Sequence, residues 1–299
     1  MSLEIEERLQ LPSTLEEKEL RQPLARRPTR QRPRHFTAVL GIGLVTAIAL
    51  VALLADVIAP TSPWTSVARP FQPPSGAYPF GTDDLGRDLL AGVVHGARTS
   101  LVVALTVAAL STGIGIAFGA LSGYFGGLLD DALMRLTEFF QTLPRFFLAL
   151  FAIALFRPGL LTITAVLALT SWTMTARLLR AQVLSVRERE YVIASRALGA
   201  GPLYVLREHV LPNTFAPVIV HTTLMIGQVM LIEASLAFLG LGDPKNISWG
   251  YLLNNAQSFL RTAWWMPFFP GLALTLAVLG FNFVGDAIHN RFFHPDRSK

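Results

Sequence analysis

The sequence predicts an all-α polytopic membrane protein with six transmembrane helices and both termini in the cytoplasm. Three observations lead there. Of 299 residues, 52% are apolar and only 15% are charged, with a mean hydropathy of +0.47; soluble domains carry about a quarter charged residues. The apolar residues fall into long runs instead of alternating with polar ones, as helices that cross ~30 Å of hydrocarbon require. Lys and Arg crowd into alternate connections, which is what orients such helices.

Taken in order, residues 1–36 form a polar cytoplasmic tail carrying eight Lys/Arg. Its run "RQPLARRPTRQRPRH" reads as the cytoplasmic flank of a first span, able to touch anionic lipid, and not as a nucleic-acid arm. Ser13 and Glu16 have the spacing of a capping box and predict a short helix. Residues 37–59 are the first span. No small-residue cleavage site follows Ala59, so the span reads as a retained anchor. Residues 60–98 are extracytoplasmic; in them Asp83, Asp84, Arg87 and Asp88 are expected to form or cap a short outer helix.

The core, residues 99–288, has clear spans near 99–123, 160–178, 216–239 and 268–286. "FFLALFAIALF", 146–156, is too short to cross alone. Extended back into "LMRLTEFFQTLP", it crosses if Arg135 and Glu138 lie at or outside the headgroups. Sidedness decides the count. With two crossings in 146–178, turned at Arg157–Gly159, the tail, the 124–145 loop, the segment from Arg177 to 215 and the carboxy end hold eight, two, six and three Lys/Arg, 19 of 25. Those four then share one side, with a cytoplasmic loop at 179–215 and a carboxy-terminal tail at 289–299. In the second span Gly115, Gly119 and Gly123 recur at i, i+4 and i+8, a stripe that lets another helix approach closely.

The charged stretch between two apolar ones is "REYVIASRALGAGPLYVLREHVLPN", Arg189 to Asn213. Glu190 to Leu198 suits a short helix with Val192, Ile193, Ala197 and Leu198 as its apolar members. Gly199 and Gly201 can end it, and Pro202 can open the next. Leu203, Leu206 and Val210 then give one apolar stripe, with Arg207 and Glu208 off it. The result is a helix–break–helix outside the bilayer, able either to rest on headgroups or to dock on a soluble partner.

These residues resemble the cytoplasmic loop of ABC importer permeases, whose pattern is Glu-Ala-Ala, three residues, Gly, nine residues, Ile, one residue, Leu-Pro. Aligned on Gly199, the Leu-Pro pair falls on Leu211 and Pro212 and the Glu-Ala-Ala slots on Ile193, Ala194 and Ser195. The Ile slot falls on His209, and the departure at Ile193 removes a carboxylate. "YPFGTDDLGRDLLAGVVHGARTSL", 78–101, "EASLAFLGLG", 233–242, "SWG", 248–250, and "FNFVGDAI", 281–288, are similar to the dipeptide, oligopeptide and nickel branch, in the subunit type with an extra amino-terminal span. The resemblance covers roughly residues 70–290. It implies a type I ABC importer-like permease fold for the core and an importer of short peptides in a bacterial inner membrane. It also implies coupling to an ATPase through Glu190, Ala194, Ser195, Arg196, Ala197, Gly199, Leu211 and Pro212. The implied partners are a second, similar permease, two ATPase subunits that bind ATP and Mg, and an extracytoplasmic solute-binding protein, which Asp83, Asp84, Arg87 and Asp88 could help receive.

No catalytic set is evident. There is no G-x-x-x-x-G-K-[ST] loop for ATP, and no cofactor is expected in this chain. The six histidines show no i, i+4 pair and no H-E-x-x-H, and cysteine is absent, so no metal site is expected. Ser122 in "ALSG" has Ala120 where a nucleophile motif needs glycine. Glu233 is the one acid well inside an apolar span; carrying it in lipid costs at least a few kcal/mol, so it should face the bundle, water or a partner. A structural hydrogen bond and a proton or substrate contact both remain open for it. Asp56 and Asp286 lie near span ends, within reach of interfacial water. A self-sufficient secondary transporter is the alternative, and would be expected to show internal inverted repeats, which are not evident.

Overall fold

A computed structural model describes residues 34–142, 144–156 and 158–293. The Ser13–Glu16 capping box, the arginine-rich tail, Arg157 at the expected turn and residues 294–299 lie outside the described residues. By its contacts the chain divides into two units, residues 1–36 and 37–299, and the second carries the helical bundle. Every regular element among the described residues is helical, apart from two isolated bridges in the segment after the first span.

The first helix, α1 (Arg34–Leu53), is uninterrupted and apolar, and only 11% of Phe36–Leu53 is buried. It breaks at Leu54 and a single turn follows, α2 (Ala55–Ile58). The next helix, α3 (Leu89–Phe125), has 37 residues, and starts ten residues before the expected span. Asp88 fixes that start, its Oδ1 accepting from the Leu90 N–H at 3.0 Å, which satisfies an otherwise orphan donor of the first turn. Gly126, at φ +68°, ends it. Then come α4 (Gly127–Thr142) and α5 (Arg145–Phe156), bent against each other by 79°. After Gly159 runs α6 (Leu160–Arg187), followed by the loop helices described below, α9 (Phe215–Leu236), α10 (Trp249–Ala256) and α11 (Trp265–Phe293).

Among the described residues α1, α3, α9 with the turn after it, and α11 are long and apolar enough to cross a membrane; the bent α4–α5 pair makes a fifth if it counts as one span. The polar content of α6 has a structural reason. Thr170, Ser171, Thr173 and Thr175 are all buried in the bundle, so these hydroxyls face protein.

The tightest crossing joins α3 to α6. A Cβ on Gly115 would lie 2.5 Å from Thr175 Cβ, on Gly119 2.5 Å from the Ala176 carbonyl oxygen, and on Gly123 2.9 Å from Val183 Cβ. The three glycines therefore put backbone against neighbour, the geometry that small-residue stripes permit in membranes. Ser111 Oγ donates to the Ala168 carbonyl at 3.0 Å along the same seam. At its far end Arg187 Nη1 donates to Gly123 O at 2.8 Å, and Arg180 holds Asp130 of α4 with two bonds of 2.6 Å.

Residues 60–88 make a folded cap instead of the expected short outer helix. Asp83 is the reason: its Oδ1 accepts from the N–H of Leu85 at 2.9 Å and of Arg87 at 2.8 Å, and such local side-chain bonds compete with helix. Trp265 Nε1 donates to Thr82 O at 3.1 Å, Phe80 stacks on Phe269 at 4.0 Å, and Asn255 donates to Asp84 at 2.9 Å. The cap is thereby fastened to α10 and α11.

Candidate coupling surface

The segment after α6 is built on a rigid base. Arg189, in extended conformation, opens α7 (Glu190–Ala197). The helix closes on Gly199 at φ +87°, with Gly199 N–H donating to Arg196 O at 2.9 Å and Ala200 N–H to Ser195 O at 3.1 Å. Those two bonds are a Schellman close, which needs a left-handed residue at the position Gly199 occupies. Gly201 is extended and Pro202 opens α8 (Pro202–Val205), as the sequence led one to expect.

From there the structure departs from the expected stripe. Residues Leu206–Val210 form a π-turn and Leu211–Asn213 a 3₁₀ turn. The wider turn rotates the register, so Val205, Leu206 and Val210 point inward and Leu203 stands out, 69% exposed. With Val192 they pack on Leu179, Val183 and Val186 of α6, on Ala120 and Tyr124 of α3, and on Val218 of α9. Ile193, expected on the apolar side of α7, is exposed too. Leu211 is partly buried and Pro212 is exposed.

What faces outward is therefore partly apolar. Ile193, Leu198, Leu203 and Tyr204 are exposed, Leu198 at 89%. Glu190, Ala194, Ala197 and Gly199 are exposed beside them, while Ser195 is half-buried. Arg196 bends back over the Tyr124 ring at 5.0 Å, and His209 sits edge-on to Tyr204 at 5.6 Å. Sequence reasoning misses Leu203 and Tyr204 as surface residues. Only the π-turn reveals them, and no residue type announces a π-turn.

Two other candidates sit elsewhere. Ser122 is wholly buried and its Oγ donates to Gly119 O at 3.3 Å. Glu233 is 4% exposed, its carboxyl meeting the Ser248 hydroxyl, while Oε2 has no partner among the described residues. Ser248 also caps α10 by accepting from the Tyr251 N–H at 3.2 Å, and the Trp249 N–H donates to Ser100 Oγ at 3.3 Å. Glu233 thus supports the start of α10 where it is wedged between α3 and α9. Replacing Glu233 with Leu should lower the thermal midpoint by a few degrees, and Gln should retain most of it, because the amide still reaches Ser248. Equal midpoints for both variants, read from tryptophan fluorescence on heating, would remove this role.

Residues 115–294 match the family model described as binding-protein-dependent transport system inner membrane component. A chain of Brucella suis biovar 1 (strain 1330), provisionally named a peptide permease protein, is 38% identical over 274 residues, 90% of each chain. The dipeptide transport system permease protein DppC of Alkalihalophilus pseudofirmus is 34% identical over 263 residues, 87% of this chain and 86% of that one. Among solved structures, an inward-facing form of the MetNI methionine ABC transporter superposes with a TM-score of 0.56 at 21% identity. It covers 67% of this chain and 95% of that one, a likeness of fold.

Proposed function

Because this chain belongs to the binding-protein-dependent transport system inner membrane component family, we propose that it is the permease subunit of an ATP-driven importer of di- or oligopeptides, driven through residues 190–212. In this reading it sits in a bacterial inner membrane, crosses it six times with both termini in the cytoplasm, and pairs with a second, similar permease. Two ATPase subunits bind ATP and Mg, and an extracytoplasmic binding protein delivers the cargo. The peptide cargo rests on the names of the relatives.

The observation that carries the coupling reading is the outward apolar set on a buried base. Leu198, Leu203 and Tyr204 stand out while Val192, Val205, Leu206 and Val210 are locked to the ends of α3 and α6. Apolar side chains projecting from an otherwise charged loop mark a contact with another protein more readily than a solvated face. Closure of the ATPase pair would push this block, and the block is continuous with the spans. Binding that differs between two states moves the equilibrium between outward and inward access, and this chain need supply no chemistry of its own.

Co-purification of the tagged chain from its native membrane tests the reading, with ATPase activity measured before and after candidate peptides are added. An ATPase pair and a second permease should come with it, and peptide with the binding protein should stimulate hydrolysis. A chain that purifies alone and moves solute on an ion gradient would support the secondary transporter instead. Leu198→Asp with Leu203→Asp should weaken ATPase retention roughly tenfold, since burying a carboxylate in an apolar contact costs more than the leucine supplied. The thermal midpoint should hold, because both side chains already face water. Retention equal to that of the unmodified chain would place the contact elsewhere.

A further inference from the structure

A second feature lies away from the coupling surface. Between α1 and the rest of the bundle runs an open crevice of about 210 Å³, far larger than the water-sized voids of ordinary packing. Its walls are Leu44, Ile48 and Val51 of α1, Val93 and Ala97 of α3, and Trp249 of α10, with α11 closing the side. Every lining residue is apolar, and the Trp249 indole N–H is already spent on Val93 O at 2.9 Å.

The crevice exists because α1 is held to the bundle toward its two ends. At one end Gly41 meets Phe283, where an added Cβ would lie 2.6 Å from Phe283 Cβ, and Gly280 meets Leu44, where an added Cβ would lie 3.1 Å from Leu44 Cβ. At the other, His95 Nε2 lies 3.0 Å from Ala59 O. Arg98 donates to Ala52 O at 3.1 Å and to Leu53 O at 3.4 Å, and pairs with Asp56 at 2.9 Å. Between these contacts small residues, Ala47 and Ala273, leave the gap.

A dry gap at membrane depth does not stay empty when hydrocarbon can enter it. Water has no polar partner there, and unfilled walls forfeit dispersion contacts. Beyond the lining, the clasp presents both signs of charge: Arg98, next to Ala97, is 43% exposed, and Asp56, five residues past Val51, is 72% exposed. Arg98 uses Nε and Nη2, so Nη1 donates to nothing among the described residues. A cation beside an anion is complementary to a zwitterionic headgroup, with phosphate toward Nη1 and ammonium toward Asp56.

We propose that this crevice seats one acyl chain of a phospholipid with a phosphoethanolamine headgroup, held at its mouth by Arg98 and Asp56. The lipid fills the seam between the first span and the bundle and rests against Trp249, the residue that starts α10. The nature of the membrane therefore bears on how firmly α1 is attached.

Native mass spectrometry of the full-length chain, stripped of bulk lipid and then given phosphatidylethanolamine or diacylglycerol, tests this. One phosphatidylethanolamine should stay bound, in preference to diacylglycerol. Ala47→Phe should lower occupancy roughly tenfold without lowering the thermal midpoint, and Arg98→Gln should remove the preference. If Ala47→Phe does not fold, Ala273→Phe fills the opposite wall and reads the same. No retained lipid, or equal occupancy in the filled variant, overturns the proposal. Equal binding of the two lipids overturns the headgroup assignment. Lipid held by the chain alone but absent when partner subunits co-purify gives the crevice to a protein occupant and overturns it as well.

Discussion

Gly119→Leu should leave little correctly folded subunit in the membrane. The first added carbon would sit 2.5 Å from the Ala176 carbonyl oxygen and 2.9 Å from Leu179 Cβ. Neither can turn aside, because one is helix backbone and the other is bound directly to it. Overpacking a fitted core costs ~1–3 kcal/mol and occasionally more, and here relief requires two long helices to part. Parting them also stretches the Ser111 and Arg187 hydrogen bonds on the same seam. Gly113, on the same helix but with nothing within 4 Å of its would-be Cβ, is the control: Gly113→Leu should insert and elute normally. Size-exclusion profiles and thermal midpoints of the two variants decide it, and a Gly119→Leu protein as stable as the Gly113 control would mean that α3 and α6 are not packed this way.

Gly199→Val should cut coupled transport by about tenfold or more while the subunit still inserts. Here the obstacle is conformation and not space, since nothing lies within 4 Å of an added Cβ but φ is +87°. A left-handed L-residue costs roughly 1–2 kcal/mol, and a β-branched one is a true outlier there. The Schellman close opens instead, and Leu198 and Leu203 lose their fixed spacing. Uptake in vesicles should fall by about tenfold or more if docking loses about 1.4 kcal/mol, with ATPase activity no longer responding to peptide. Gly199→Asn should keep most of the function, because asparagine tolerates the left-handed region. Valine and asparagine variants with equal uptake would show that this backbone close does not matter for coupling.

Some of this architecture is legible in the sequence, for reasons that differ by residue. The Gly115, Gly119 and Gly123 stripe can be read because helical spacing is fixed, so small residues four apart must share a face. The α7 close can be read because only a left-handed position demands glycine with proline soon after. Leu203 falls on the wrong face in a simple helical reading because a five-residue turn inserts itself at Leu206–Val210 without any residue type that requires it. The cap over residues 60–88 is not legible either. Its strength comes from Trp265, Phe269 and Asn255, more than 170 positions away in the chain, and no local pattern encodes such partners. Hydropathy starts α3 ten residues late because Leu89–Arg98 mixes polar with apolar residues; Asp88 is a cap as expected, but of the span itself and not of a separate helix. The crevice beside α1 depends on where two helices diverge, which composition does not specify.

The bonds around Arg180 and Arg187 have a mechanical consequence. A guanidinium with two bonds of 2.6 Å to Asp130 and a neighbour fastened to the last turn of α3 weld three helices at the end nearest the loop. Under the coupling proposed above, a push on Leu198 or Leu203 would meet a block braced by these bonds. The joint between α3 and α4 is made by Gly126 and Gly127, consecutive residues of positive φ. In that reading, displacement of the loop would be carried along the ~42 Å of α6 as tilt, with little lost to bending on the way.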